Sequence, residues 1–211
     1  MKKLLMVMSL IMAFSMLVAP AAMADTLYLN GVNGQIDLTG GVYIDPYIGG
    51  NSASSTGWIF CVDPVHESNL GTNWSVYTTI LDTNTSLANT YLGNSGRQQY
   101  EEMAYLILSN MSNWGISADL AVNQQVQAAI WYIADPVPGN VYGVDNSYVG
   151  VANANYTNMN YSNVEILSST NFFSSGYVNQ EFMEIVPEPA TMLLLGIGLV
   201  GLAGVRRKFK Q

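Results

Sequence analysis

The sequence predicts an α+β fold, a mostly antiparallel β-sandwich or barrel with a two-helix insertion, flanked by an N-terminal signal peptide and a C-terminal membrane helix. Three observations predict it. Short β-favouring runs separated by turn residues fill both ends of the central segment. Two longer runs between them carry apolar residues at helical spacing. Each terminus joins an apolar run to a basic cluster. The expected divisions are residues 1–24, 25–185 and 186–211.

Lys2 and Lys3 open the chain, Leu4 to Val18 is apolar, and Ala22-Met23-Ala24 ends in small residues. That is the pattern signal peptidase cleaves, here between Ala24 and Asp25. From Asp25 to Glu188 the chain holds all 15 acids and one base, Arg97, with no lysine. Such a segment repels phosphate backbones, which argues against nucleic-acid binding. It also has no amine for an internal Lys–Asn crosslink.

Thr26-Leu27-Tyr28-Leu29, Gln35-Ile36-Asp37-Leu38 and Val42-Tyr43-Ile44 favour strands, with Asn33-Gly34 and Gly40-Gly41 as turns. Gly57 to Val62 is an apolar strand stopped by Asp63-Pro64, because proline cannot donate to a ladder. Trp74 to Leu81 is a further strand, with Trp74, Val76, Thr78 and Ile80 expected on one face. Between Arg97 and Asn113, the residues Tyr100, Met103, Ala104, Ile107, Leu108 and Met111 form one helical stripe, leaving Glu101 and Glu102 outside. A second helix is expected from a Ser117 cap to Ala134, ended by Asp135-Pro136. Pro138 to Thr170 reads as loop, overlapped at its end by the first of the closing strands, Tyr161–Ser168, Phe172–Val178 and Gln180–Ile185. The Asn-x-Ser/Thr triplets at Asn73, Asn84, Asn110, Asn155 and Asn160 are what chance supplies in so Asn- and Ser-rich a chain.

Val186-Pro187-Glu188-Pro189 precedes an apolar run to Val205 and then Arg206-Arg207-Lys208. As a helix, Ala190 to Val205 spans about 24 Å, slightly short for a bilayer, with a basic, cytoplasmic end. This tripartite pattern resembles the PEP-CTERM sorting signal of Gram-negative bacteria. The resemblance implies transit at the inner membrane, handling by an exosortase, and delivery to the envelope, the outer surface or an extracellular biofilm matrix. The sorting residues are Pro187, Glu188 and Pro189.

Cys61 is the only cysteine, so no internal disulfide can form. It lies in Phe60-Cys61-Val62-Asp63, and Gln127 lies in Val126-Gln127-Ala128-Ala129-Ile130-Trp131. The two elements resemble those of bacterial surface thioester domains, with Val126 where that family has threonine. The resemblance implies an internal Cys61–Gln127 thioester that acylates amines on a surface or matrix partner, polysaccharide-bearing matrix included. Phe60, Trp131 and Trp58 would shield the bond from water, or serve simply as core aromatics. Gln124 and Gln125 are neighbours from which only the motif separates Gln127. The alternative is a non-covalent, exopolysaccharide-associated module in which Cys61 is packed as a small hydrophobe. The chain is not expected to be an enzyme or to hold a metal or cofactor. His66, the sole histidine, is expected to be exposed in the loop after Pro64, poorly placed for a Ser-His-Asp arrangement. No spacing singles out a carboxylate pair among Asp63, Glu67, Glu101 and Glu102.

Overall fold

A computed structural model of the chain describes residues 24–32, 37–38, 42–43, 46–51, 57–112, 114, 120–136, 145–172 and 178–186. The apolar part of the signal peptide, the turns at Asn33-Gly34 and Gly40-Gly41, Ser117, most of the Phe172–Val178 strand, and the sorting tail from Pro187 lie outside the described residues.

The strands are β1 (Ala24–Val32), β2 (Asp37–Leu38), β3 (Val42–Tyr43), β4 (Tyr47–Gly50), β5 (Gly57–Cys61), β6 (Thr72–Ile80), β7 (Val164–Ser169) and β8 (Phe182–Ile185). Six of them close a barrel in the order β1-β4-β5-β8-β7-β6, every pair antiparallel, and β2 and β3 form a separate ribbon. Closure leaves the barrel itself without an unpaired edge strand. Long β1 serves both β4 and β6, and it bulges between Leu29 and Gly31 where it turns toward β4.

Residues paired across the ladder share a face, so the register sorts the side chains. Cys61 pairs with Phe182, and Phe182 with Leu167. With Leu27, Leu29 and Ile59 these form the barrel interior, where Phe182 meets Tyr47 edge-on at 5.4 Å. Gly49 is needed there: an added Cβ would lie 2.6 Å from both Ile59 Cδ1 and Tyr28 O. Phe60, Met183 and Ile166 point the other way and are equally buried, beneath helices.

Those helices are α1 (Arg97–Ser109), α2 (Leu120–Ala134) and α3 (Asn146–Asn155). On α1, Tyr100, Met103, Ala104 and Ile107 are buried, following the apolar stripe. Gln99 Nε2 bonds Ile133 O and ties α1 to α2. Trp114 covers Phe60 at 5.2 Å.

Three expectations are corrected. The stretch after Pro138 is not all loop: α3 forms there, capped by Asp145, whose side chain accepts from Ser147 N. It fully buries only Ala152, with Tyr148 and Val149 partly buried beside it, a stripe too short to announce the helix. Glu102 is buried rather than outside, because Asn153 of α3 and Gln98 both donate to its Oε1. On β6 the predicted face runs out: Trp74 and Val76 are buried, but Ile80 is 43% exposed and Thr79 is buried instead. The interior face reaches the open barrel mouth at that end, while Thr79 faces the other way. Among the described residues, no helix is long and apolar enough to cross a membrane.

Candidate functional site

Cys61 is the last residue of β5 and is 1% exposed. Its thiol donates to Asp63 O at 3.4 Å, and the Trp131 side chain is near enough to favour the thiolate. Burial pushes the thiol up to about 12; the hydrogen bond at the Asp63 backbone and the nearby Trp131 side chain offset part of that, while the Asp63 and Glu181 charges add to it. Cys61 is therefore a protonated thiol at neutral pH.

Gln127 is 2% exposed, and its Nε2 donates to Cys61 O at 2.8 Å. Helix α2 is buried on more than its apolar stripe, since Asn123, Gln127 and Ala128 are buried as well as Val126, Ala129 and Ile130. Gln127 and Trp131, one turn apart, therefore both reach the end of β5. Gln125 instead accepts from Asp145 N at 2.7 Å, and Gln124 is half-buried. Of the aromatics named for shielding, Trp131 is on the side of the sulfur, lowering its pKa, whereas Phe60 lies on the opposite face of β5 against Trp114.

Sequence reasoning missed Glu181. It is 1% exposed; Oε1 accepts from Ser168 Oγ at 2.5 Å and Tyr91 N at 2.9 Å, and Oε2 from Tyr100 OH at 2.5 Å. Burial raises its carboxyl to about 7, against the lowering effect of Ser168, Tyr100 and Tyr91. The available signal was its phase: two residues before Met183, it shares the face that packs under α1.

Asp63 is fully buried. Its Oδ1 accepts from Val65 N and His66 N, and its Oδ2 from His66 Nδ1 and Glu181 N. His66 is consequently not the free, exposed histidine expected from the loop; Asp63 holds its ring at 2.7 Å. Among the described residues, no group of three or more His, Cys, Asp or Glu side chains is arranged to hold a metal ion.

The arrangement brings the Gln127 carboxamide to the main-chain oxygen of Cys61, with both residues shut off from water.

Comparison with known proteins adds the following. No curated protein matches the chain. The fold is similar to the N-terminal domain of the Streptococcus pyogenes pilus tip adhesin Cpa, with a TM-score of 0.41, 13% identity, and coverage of 81% of this chain and 97% of that one. A likeness at that level carries no functional weight. Residues 186–208 match the PEP-CTERM protein-sorting motif. The chain is thus an exported protein, processed by an exosortase at the membrane and sent to the cell surface.

Proposed function

We propose that the exported domain is a covalent adhesin, carrying a thioester between Cys61 and Gln127 with which it acylates an amine on a surface or matrix partner. One observation carries the reading: the Gln127 carboxamide bonds the Cys61 carbonyl at 2.8 Å, with both residues buried. Bond formation joins Sγ to the Gln127 carbonyl carbon and breaks its C–N bond; the thiol proton leaves with the amide nitrogen as ammonia. An ordinary thiol has a pKa near 8.5, so this buried, protonated one depends on held geometry rather than on thiolate population. The acyl group then passes once to a partner amine, without turnover. The segment from Asp25 to Glu188 contains no lysine, so the domain offers no side-chain amine of its own.

A second reading has its own support. A thiol pushed up to about 12 and bonded to Asp63 O is also what an inert, packed cysteine looks like, in a module that binds matrix polysaccharide non-covalently. Intact mass of the exported protein separates the two. The thioester predicts a mass short by one ammonia, which methylamine converts to a methylamide and Cys61→Ala abolishes. A full mass, with Cys61 alkylated upon unfolding, refutes it in favour of the non-covalent module.

A further inference from the structure

A cavity of about 480 Å³ opens between residues 81–83 at the end of β6, Glu101 of α1, and residues 156–161, which follow α3. Its size falls within the roughly 300–1,000 Å³ of small-molecule sites. Leu81 and Tyr161 give it an apolar base, at 2% and 6% exposure, and Met159 adds an open apolar wall at 39%. The Tyr161 hydroxyl donates to Tyr156 O, which fixes the ring at the base and holds the backbone of Tyr156 over it.

Polar groups ring that base. The Glu101 side chain is 18% exposed, and its ion partner Arg97 stands 3.8 Å away. Arg97 is itself committed to the backbone, donating to Asp82 O at 2.8 Å and to Thr85 O. Burial raises the Glu101 carboxyl and Arg97 lowers it. Burial and then the Glu101 charge raise the Tyr161 hydroxyl, so the acid stands beside the ring at the base. Asp82 Oδ1 accepts from Thr83 Oγ1 at 3.0 Å, and Asn160 Oδ1 accepts from Ser162 N at 3.0 Å. Asp82 Oδ2 and Asn160 Nδ2 make no hydrogen bond among the described residues. The rim thus presents two carboxylates that accept and a carboxamide that donates.

These surfaces narrow the occupant. An acidic ligand would meet Asp82 and Glu101 within a segment of 15 acids and one base. A purely apolar ligand would strip water from those carboxylates and leave their bonds unmade. A sugar ring matches both surfaces, since its C–H face is apolar and its hydroxyls both donate and accept. We propose that this cavity binds an uncharged saccharide, its ring packed on Tyr156, Met159 and Tyr161 and its hydroxyls bonded to Asp82, Glu101 and Asn160. Neither Cys61 nor Gln127 lines the cavity, so the proposal goes beyond the thioester reading and is independent of it.

The test titrates the exported protein with cellotetraose, mannotetraose and N-acetylated chitotetraose by calorimetry, with tetragalacturonic acid as the charged control. At least one neutral probe should bind, and the acid should not. Glu101→Gln should weaken that binding roughly tenfold, as loss of a charged acceptor does. Tyr156→Ala keeps the carbonyl that anchors Tyr161 and should cost a similar factor by removing the ring. If Tyr156→Ala does not fold, the open Met159→Ala reads the same surface. Glu184→Gln, outside the cavity, should leave binding unchanged. The proposal is overturned if no neutral probe binds, or if the acid binds as tightly. It is equally overturned if the cavity variants leave binding unmoved, or if Glu184→Gln weakens it as much as they do. Intact mass decides the thioester separately.

Discussion

At one end of the barrel Asp63 and Glu181 are sealed from water; at the other, Asp25, Glu165 and Glu184 line an open cavity of about 250 Å³. In the sealed end the acids are surrounded by donors, three on the Glu181 carboxyl and four on that of Asp63. In the open end Glu165 and Glu184 sit directly opposite each other on adjacent strands. Both are raised, first by partial burial and then by neighbouring carboxylates, Asp25 in each case and Glu165 for Glu184. The lesson is that burying a carboxyl is tolerable where the fold supplies donors, and that without them it must stay wet. The dry end is also where Cys61 and Gln127 meet.

Removing the sealed acid should have the largest effect. Glu181→Ala strands the Tyr100 and Ser168 hydroxyls and the Tyr91 N–H, and should lower the unfolding free energy by about 3–5 kcal/mol in urea titrations. A loss below about 1 kcal/mol would erase the distinction between the two ends.

The next effect is a pH dependence. The Glu181 carboxyl lies at about 7 in the folded state against an ordinary 4.5, so the folded protein binds the extra proton between those values. The associated stability is full below the ordinary value and is lost as pH rises toward 7, amounting to roughly 3 kcal/mol. Glu181→Gln should flatten that part of the stability–pH curve, and an unaltered curve would assign the slope to other groups.

The smallest effect belongs to the open end. Glu184→Gln removes a like charge opposite Glu165 and should stabilise by a few tenths of a kcal/mol at neutral pH, with the gain fading as pH falls and the carboxyls protonate. A clear destabilisation would mean that Glu184 makes a contact worth more than the repulsion.

Much of this architecture is legible residue by residue. The stripe through Tyr100, Met103 and Ile107 needs only helical periodicity, and Asp63-Pro64 stops its strand by local chemistry. Helix α3 was illegible because its Asn-, Ser- and Gly-containing sequence has low intrinsic preference and is held by a cap and by Asn153 to Glu102. Glu102 itself was misread for the same reason, since its partner is 51 residues away.

By itself, the sequence determined the contiguous features: the Pro187-Glu188-Pro189 tail matched as a sorting motif, the strand and helix periods, and an acidic segment without lysine. The choice of barrel over sandwich came only with β6 pairing back onto β1. Tertiary structure likewise decided the burial of Glu181 among Tyr91, Tyr100 and Ser168, and the holding of His66 by Asp63, edge-on to the stacked Tyr91 and Phe172. The reason is physical: periodicity and motifs are properties of neighbours along the chain, whereas the donors that make a buried carboxyl acceptable come from segments distant in sequence.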